Sequence, residues 1–217
     1  MVLLHGWGGS SVTMTGIFDF LAANGCDCIA IDLPGHGQSP NPPPDFDLFD
    51  YADCVCSLAD HLYLKNVALV GHSFGGKLSI LLSQKTWVKK IVLVSASGVK
   101  PRFDLKKYIK IKQYKRAKKR GLDLAKFGST DFKALDPSMQ SVFVKIVNTH
   151  LDKFLKKITK PTLLIWGKND TDTPLYMAKK IKRRVGDCGL VTLEGGHYAF
   201  VLHHNRFCLI LSSFLNP

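Results

Sequence analysis

Six short apolar runs recur along the chain, each followed by or ending in small or polar residues. Their residues are hydrophobic at successive positions rather than at alternate ones, which is typical of strands buried on both faces of a parallel sheet. The runs are "VLLHG" (2–6), "CIAIDL" (28–33), "VALVGHS" (67–73), "IVLVSAS" (91–97), "TLLIWG" (162–167) and "GLVTLEG" (189–195).

The longer stretches between these runs have apolar residues at helical spacing. The stretch 14–25 ends at Gly25, a residue that commonly terminates helices, and 173–186 has Pro174 near its start and Gly186 at its end. Further helices are predicted over 51–64, 75–85 and 205–215. The alternation predicts an α/β fold with a doubly wound, mostly parallel sheet of about six strands.

Residues 98–158 interrupt this alternation because they contain no strong strand pattern. We therefore predict a core made of residues 1–97 and 159–217, with 98–158 as a mostly helical insertion that is not an independent domain. The Pro- and Gly-rich stretch 34–45 is predicted to be a loop.

The formal net charge is +13, and most of the excess lies in residues 100–120, which contain eleven Lys or Arg and one Asp. We favour a solvated helix face, because no aromatic-rich nucleic-acid module surrounds the segment. The alternative is a surface that meets anionic lipid, anionic polymer or an acidic substrate. We expect no nucleic-acid partner and at most a weak contact between 100–120 and an anionic membrane.

No apolar run approaches the roughly 20 residues that span a bilayer, and the N-terminus lacks the pattern of a signal peptide. We therefore expect a cytoplasmic protein with reduced thiols. The C-x-C spacing of two cysteine pairs suits neither a zinc knuckle nor a C-x-x-C redox motif, and a metal site built from both pairs is the less favoured alternative. The six cysteines are Cys26, Cys28, Cys54, Cys56, Cys188 and Cys208.

A glycine-framed serine, Gly71-His72-Ser73-Phe74-Gly75, stands between a predicted buried strand and a predicted helix. In that context G-x-S-x-G indicates a sharp bend that exposes a nucleophilic hydroxyl on Ser73, with Gly71 and Gly75 permitting the bend. The N–H of Phe74 then lies at a helix N-terminus, where negative charge is favoured. His72 adjoins the serine, but adjacency does not deliver its ring to the hydroxyl.

A serine nucleophile needs a base, and the base needs an orienting carboxylate. Asp170 follows one predicted strand and His197 follows the last one. Both positions are carboxyl ends of strands, where sites form in open parallel sheets. We favour Asp170 as the acid over Asp172, which lies nearer the start of the next helix.

The first predicted strand runs into "HGWGG" (5–9). Its glycines suit either an ordinary turn or a loop that passes close to Ser73. In the second interpretation, which we favour, the N–H groups of Trp7 and Phe74 form an oxyanion hole.

These motifs together resemble the α/β-hydrolase superfamily, and the resemblance covers nearly the whole chain. The stretches that carry it are "HGWGG", "DLPGHGQS" (32–39), "GHSFGG", "WGKNDTDTP" and "GGHYAF". The resemblance implies a catalytic triad of Ser73, Asp170 and His197, an oxyanion hole at Trp7 and Phe74, and a helical cap over the pocket at 98–158.

The chain departs from that superfamily in one respect, since members usually have two further strands before the "HG" strand. Without them "CIAIDL" becomes an edge strand, which is a pairing hazard. A homo-oligomer that covers this edge, or a trimmed form of the chain, would account for the departure.

The resemblance implies a serine hydrolase, and we expect a carboxylesterase that cleaves a small-molecule ester through an acyl-enzyme. The compact cap of 61 residues predicts short-to-medium acyl chains. We expect no cofactor and no metal. Tyr108, Ile111 and Lys115 are the cap residues that a helix would turn toward the pocket. The alternatives are the same triad acting on another bond, as in carbon–carbon hydrolases, amidases and hydroxynitrile lyases, and a binding protein without turnover.

Overall fold

The six predicted strands form one parallel sheet in the part of the chain that the structure describes. This structure is a computed structural model, and it describes residues 1–103, 105, 109, 112–113, 116–117, 119–120, 132 and 135–215. The strand order is β2-β1-β3-β4-β5-β6. The strands are β1 (Val2–Leu4), β2 (Ile29–Ile31), β3 (Val67–His72), β4 (Val88–Val94), β5 (Thr162–Gly167) and β6 (Cys188–Leu193).

Helices cover both faces of the sheet, so the predicted doubly wound α/β fold is confirmed. Buried residues of α1, α6 and α7 pack together on one face, and those of α2, α3, α4 and α5 pack on the other. The α-helices that pack on the two faces are α1 (Thr15–Ala23), α2 (Leu48–His61), α3 (Phe74–Leu82), α4 (Pro137–Asn148), α5 (Leu175–Lys182), α6 (Ala199–Leu202) and α7 (His204–Leu215).

Five of the six strands differ from their predicted bounds by one to three residues, and two of these differences have identifiable reasons. β2 ends at Ile31, and beyond it the N–H of Leu33 donates to the ring of His5 rather than to a strand. β4 begins at Val88, before the apolar run. The apolar pattern misses this start because Lys89 and Lys90 follow it, and the ammonium of Lys90 donates to carbonyl groups at the end of α7.

The insertion 98–158 is described in part, and its division from the core remains a prediction. α4 lies within it and buries Met139, Val142 and Ile146. After α4, the N–H of Leu151 donates to the carbonyl of Gly98 at 2.7 Å. Tyr108, Ile111 and Lys115 lie outside the described residues.

β2 is the edge strand, as predicted, and its three residues are half-buried. Within the described residues no helix is both long and apolar enough to cross a membrane. All six cysteines are free thiols.

A lysine occupies the core between α3 and α4. Lys77 is 2% exposed, and its ammonium donates to the carbonyl of Ile146 near the end of α4. Burial lowers the pKa of Lys77 to about 8. Between about pH 8 and the usual lysine pKa the unfolded chain binds more protons than the folded one, so the contribution of Lys77 to stability rises with pH in that window.

We expect Lys77→Met to raise the free energy of unfolding at pH 7 by about 1–2 kcal/mol, since it removes a buried charge with no carboxylate beside it among the described residues. The gain should shrink as the pH approaches 10, where Lys77 is neutral in the folded protein. Urea unfolding of both proteins at the two pH values measures it. Lys89→Met, at an exposed position, is the control, and an equal loss of stability at both pH values would contradict the expectation.

Candidate active site

Ser73 lies at the junction of β3 and α3 in a backbone conformation that non-glycine residues rarely adopt. Its φ is 50° and its ψ is −106°, and such a conformation is unfavourable by about 1–3 kcal/mol. Neighbouring backbone holds it there, because its N–H donates to the carbonyl of Val94 at 3.0 Å and its carbonyl accepts from the N–H groups of Lys77 and Ser97. The structure therefore contains a strained strand-to-helix turn at the serine.

The glycines on either side of Ser73 stand where no side chain fits. A Cβ on Gly71 would overlap the carbonyl group of Gly75, and a Cβ on Gly75 would overlap the carbonyl group of Leu4 in β1. The N–H of Gly75 also donates to the carbonyl of His5 at 3.0 Å. The turn is thus packed directly against the end of the neighbouring strand.

Asp170 and His197 meet beyond the ends of β5 and β6. The Nδ1 of His197 lies 2.9 Å from Oδ2 of Asp170, and the Asp170 side chain has no solvent exposure. Burial opposes ionisation of Asp170, but hydrogen bonds from His197 and the N–H of Thr173 outweigh it and hold the pKa of this carboxyl below its ordinary value. The pair therefore consists of an ionised carboxylate that orients an imidazole.

Thr173 completes the surroundings of the carboxylate. Its hydroxyl lies 2.9 Å from Oδ2 of Asp170, 3.0 Å from the carbonyl of Ser95 and 3.4 Å from Nδ1 of His197. The competing acid, Asp172, is exposed and contributes its N–H to Oδ1 of Asp170. The structure therefore brings Asp170, and not the carboxylate of Asp172, to His197.

His72 was not assigned a role from sequence, yet it links the serine turn to the loop that carries His197. Its Nε2 donates to the carbonyl of His197 at 3.2 Å, and the two rings lie 4.8 Å apart. The pKa of His72 is lowered to about 3, mainly by burial and to a lesser extent by the neighbouring His197. His72 is therefore a neutral donor at ordinary pH, and only the folded structure shows where its ring points.

The "HGWGG" loop passes beside Ser73. A Cβ on Gly6 would lie 3.3 Å from Cβ of Ser73. Among the described residues, the backbone N–H groups of Trp7 and Phe74 donate to no protein acceptor. Within the described residues, both N–H groups predicted to be oxyanion donors therefore lack a hydrogen-bond acceptor. The N–H of Phe74 lies at the N-terminus of α3.

His5 anchors this loop and was also missed from sequence. Its Nδ1 donates to the carbonyl of Gly6 at 2.7 Å, and its Nε2 accepts from the N–H of Leu33 at 3.1 Å. These two bonds require the neutral ring, and burial correspondingly lowers the pKa of His5. Nothing in the sequence "HGWGG" indicates this role for His5.

Aromatic side chains pack around the ring of Trp7. The ring of Trp7 lies 5.4 Å from that of Phe74, 4.8 Å from that of His36 and 5.1 Å from that of Phe143 in α4. The insertion that contains α4 thus contacts the loop beside Ser73. The arrangement offers a hydroxyl, an imidazole–carboxylate pair and two backbone donors at one edge of the sheet.

We expect Gly75→Ala to lower the free energy of unfolding by more than about 3 kcal/mol, because its Cβ would displace the end of β1. Gly186→Ala is the matched control, since a Cβ there meets no atom within 4 Å, and its effect should stay within about 1 kcal/mol. Urea denaturation compares the two variants. Similar stabilities would show that the turn relaxes around the added carbon.

We expect His72→Phe to slow the labelling of Ser73 by a fluorophosphonate about tenfold or more, since it removes the donor that positions His197 while retaining an aromatic ring. His72→Gln, which keeps an N–H donor, should recover part of the rate, and His61→Phe, at an exposed position, should label like the parent protein. Thermal unfolding measured alongside separates positioning from a loss of stability. Parent-like labelling of His72→Phe would contradict the role.

Comparisons with known proteins bear on the family to which the fold belongs. The family model described as "alpha/beta hydrolase fold" matches residues 1–133. "AB hydrolase superfamily protein YisY" of Bacillus subtilis is 27% identical over all of this chain and 91% of its own length. "Putative esterase/lipase 2" of Mycoplasma pneumoniae is 28% identical over 82% of this chain and 75% of its own length.

A solved structure has the same fold. The esterase EaEST from Exiguobacterium antarcticum superimposes with a TM-score of 0.80 at 23% identity, covering 100% of this chain and 91% of that one. The family model matches more than half of the chain, and the six-stranded parallel sheet fits it. The chain therefore belongs to the alpha/beta-hydrolase fold family.

Proposed function

We propose that this protein is a serine hydrolase that cleaves carboxylic esters through an acyl-enzyme intermediate. The observation that carries the proposal is the 2.9 Å bond between His197 and the buried Asp170, at the sheet edge where Ser73 occupies a strained turn. An imidazole held by a buried carboxylate is suited to act as a general base toward a serine hydroxyl.

In the proposed reaction Oγ of Ser73 attacks the ester carbonyl carbon and its proton passes to Nε2 of His197. The N–H groups of Trp7 and Phe74 stabilise the negative charge that develops on the carbonyl oxygen. The C–O bond then breaks, and His197 returns the proton to the departing alcohol. Water attacks the acyl-enzyme with the same proton path, releasing the acid and restoring Ser73.

The names of two similar proteins support different parts of the proposal. The Mycoplasma pneumoniae relative is named an esterase/lipase, which supports an ester substrate. "Probable serine hydrolase" of Drosophila melanogaster, 25% identical over 89% of this chain and 59% of its own length, supports a serine nucleophile. We further propose short-to-medium acyl chains, because the insertion is compact, with 61 residues, and its Phe143 packs on Trp7.

A series of p-nitrophenyl esters with increasing acyl length tests the proposal. We expect turnover that is greatest below twelve carbons and that falls at least a thousandfold in Ser73→Ala and Asp170→Asn. Asp172→Asn is the matched control for the acid and should retain most of the activity, because Asp172 contributes its backbone and its carboxylate is exposed.

Each outcome of this series has a defined meaning. Turnover that survives Ser73→Ala would overturn the mechanism, and an optimum at twelve carbons or longer would overturn the proposed acyl length. Fluorophosphonate labelling of Ser73 without ester turnover would leave the nucleophile in place and direct the search to amides or to carbon–carbon bonds.

A further inference from the structure

Four cationic side chains and one aromatic ring line an open groove between the start of the insertion and α5. Its volume is about 530 Å³, and its lining residues are Arg102, Tyr176, Lys179, Lys182 and Arg183. Within the described residues, no acidic side chain lines the groove. The groove lies on the surface formed by α5 and is not part of the site that contains Ser73 and His197.

The groove has a defined wall. The guanidinium of Arg102 lies 4.4 Å from the centre of the Tyr176 ring, and the N–H of Arg102 donates to the Tyr176 hydroxyl at 3.1 Å. These contacts hold the beginning of the insertion against α5. They also cover the face of the only aromatic ring that lines the groove among the described residues.

Among the described residues, no carboxylate pairs with the cations that line the groove. Neighbouring Lys180 and Arg184 pair with Asp152 at 2.5 and 3.2 Å. Within the described residues, no such pair involves Arg102, Lys179, Lys182 or Arg183. Closely spaced cations without carboxylates attract a partner with several negative charges.

Exposed apolar side chains follow Arg102 in the sequence. Phe103, Leu105 and Ile109 follow Arg102 and are 77%, 60% and 47% exposed. They stand in the segment 100–120, whose eleven Lys or Arg outnumber its single Asp. Cations beside exposed apolar side chains are typical of segments that rest in the interface of an anionic bilayer.

We propose that the groove together with Phe103, Leu105 and Ile109 forms a surface that docks on bilayers containing anionic phospholipids. The cations bind headgroup phosphates, and the apolar side chains enter the boundary between headgroups and acyl chains. A single-stranded nucleic acid fits less well, because it offers no apolar phase for the exposed side chains of Leu105 and Ile109. This proposal is independent of the ester chemistry.

Co-sedimentation of the full chain with two kinds of vesicle tests the proposal. One kind is phosphatidylcholine alone, and the other is equal parts phosphatidylcholine and phosphatidylglycerol. We expect binding to the anionic vesicles to be at least about tenfold tighter, and to weaken as salt is added. Equal binding to the two vesicles, or none to either, would overturn the proposal.

Two matched variants locate the charge. In the first, alanine replaces Arg102, Lys179, Lys182 and Arg183, and in the second it replaces the exposed cations Lys65, Lys85, Lys89 and Arg206. Both lose four positive charges, but only the first should lose about tenfold or more in affinity for anionic vesicles. Equal losses would overturn the assignment to the groove. Thermal unfolding of both variants establishes that they are folded.

A third variant separates a lipid surface from a soluble anion. Serine replaces Phe103, Leu105 and Ile109, and binding is measured to anionic vesicles and to heparin. We expect the vesicle affinity to fall at least about threefold while heparin binding stays unchanged. Unchanged vesicle binding would overturn insertion into the bilayer, and equal losses for both ligands would show that the apolar residues act only through the fold.

Discussion

The left-handed backbone at Ser73 is the constraint on which the site depends. Closure of the turn brings Gly75 against β1, which leaves no space for a side chain there. It also starts α3 at Phe74, so the N–H of that residue remains available at the helix terminus. The unfavourable local geometry is maintained by the sheet, because Val94 of β4 and His5 after β1 both bond to the turn.

Parallel pairing brings the remaining groups to this turn. β5 and β6 end on the same edge as β3, so the loops that follow them carry Asp170 and His197 to one place. His72 then connects the loop after β6 to the strand before the serine. His197 is therefore positioned from two sides: the carboxylate of Asp170 bonds to its ring, and the ring of His72 donates to its backbone carbonyl.

Local sequence was sufficient for the fold, since buried parallel strands are apolar throughout and the motifs at their ends occur in a fixed order. It was insufficient for His5 and His72, whose roles depend on which ring nitrogen faces which carbonyl. Periodicity likewise misses Lys77, because a lysine in an amphipathic helix is expected in solvent and here its ammonium lies beneath α4. These features arise from contacts between elements distant in sequence.

The contact between Phe143 and Trp7 connects α4 of the insertion to the loop that carries a proposed oxyanion donor. A substitution in α4 that changes the packing of Phe143 also moves Trp7, whose N–H we propose as an oxyanion donor. In the proposed mechanism, substrate selectivity and turnover therefore depend on the same contact. Selection for a new substrate would have to proceed through paired changes in α4 and the "HGWGG" loop, rather than through independent changes in the insertion alone.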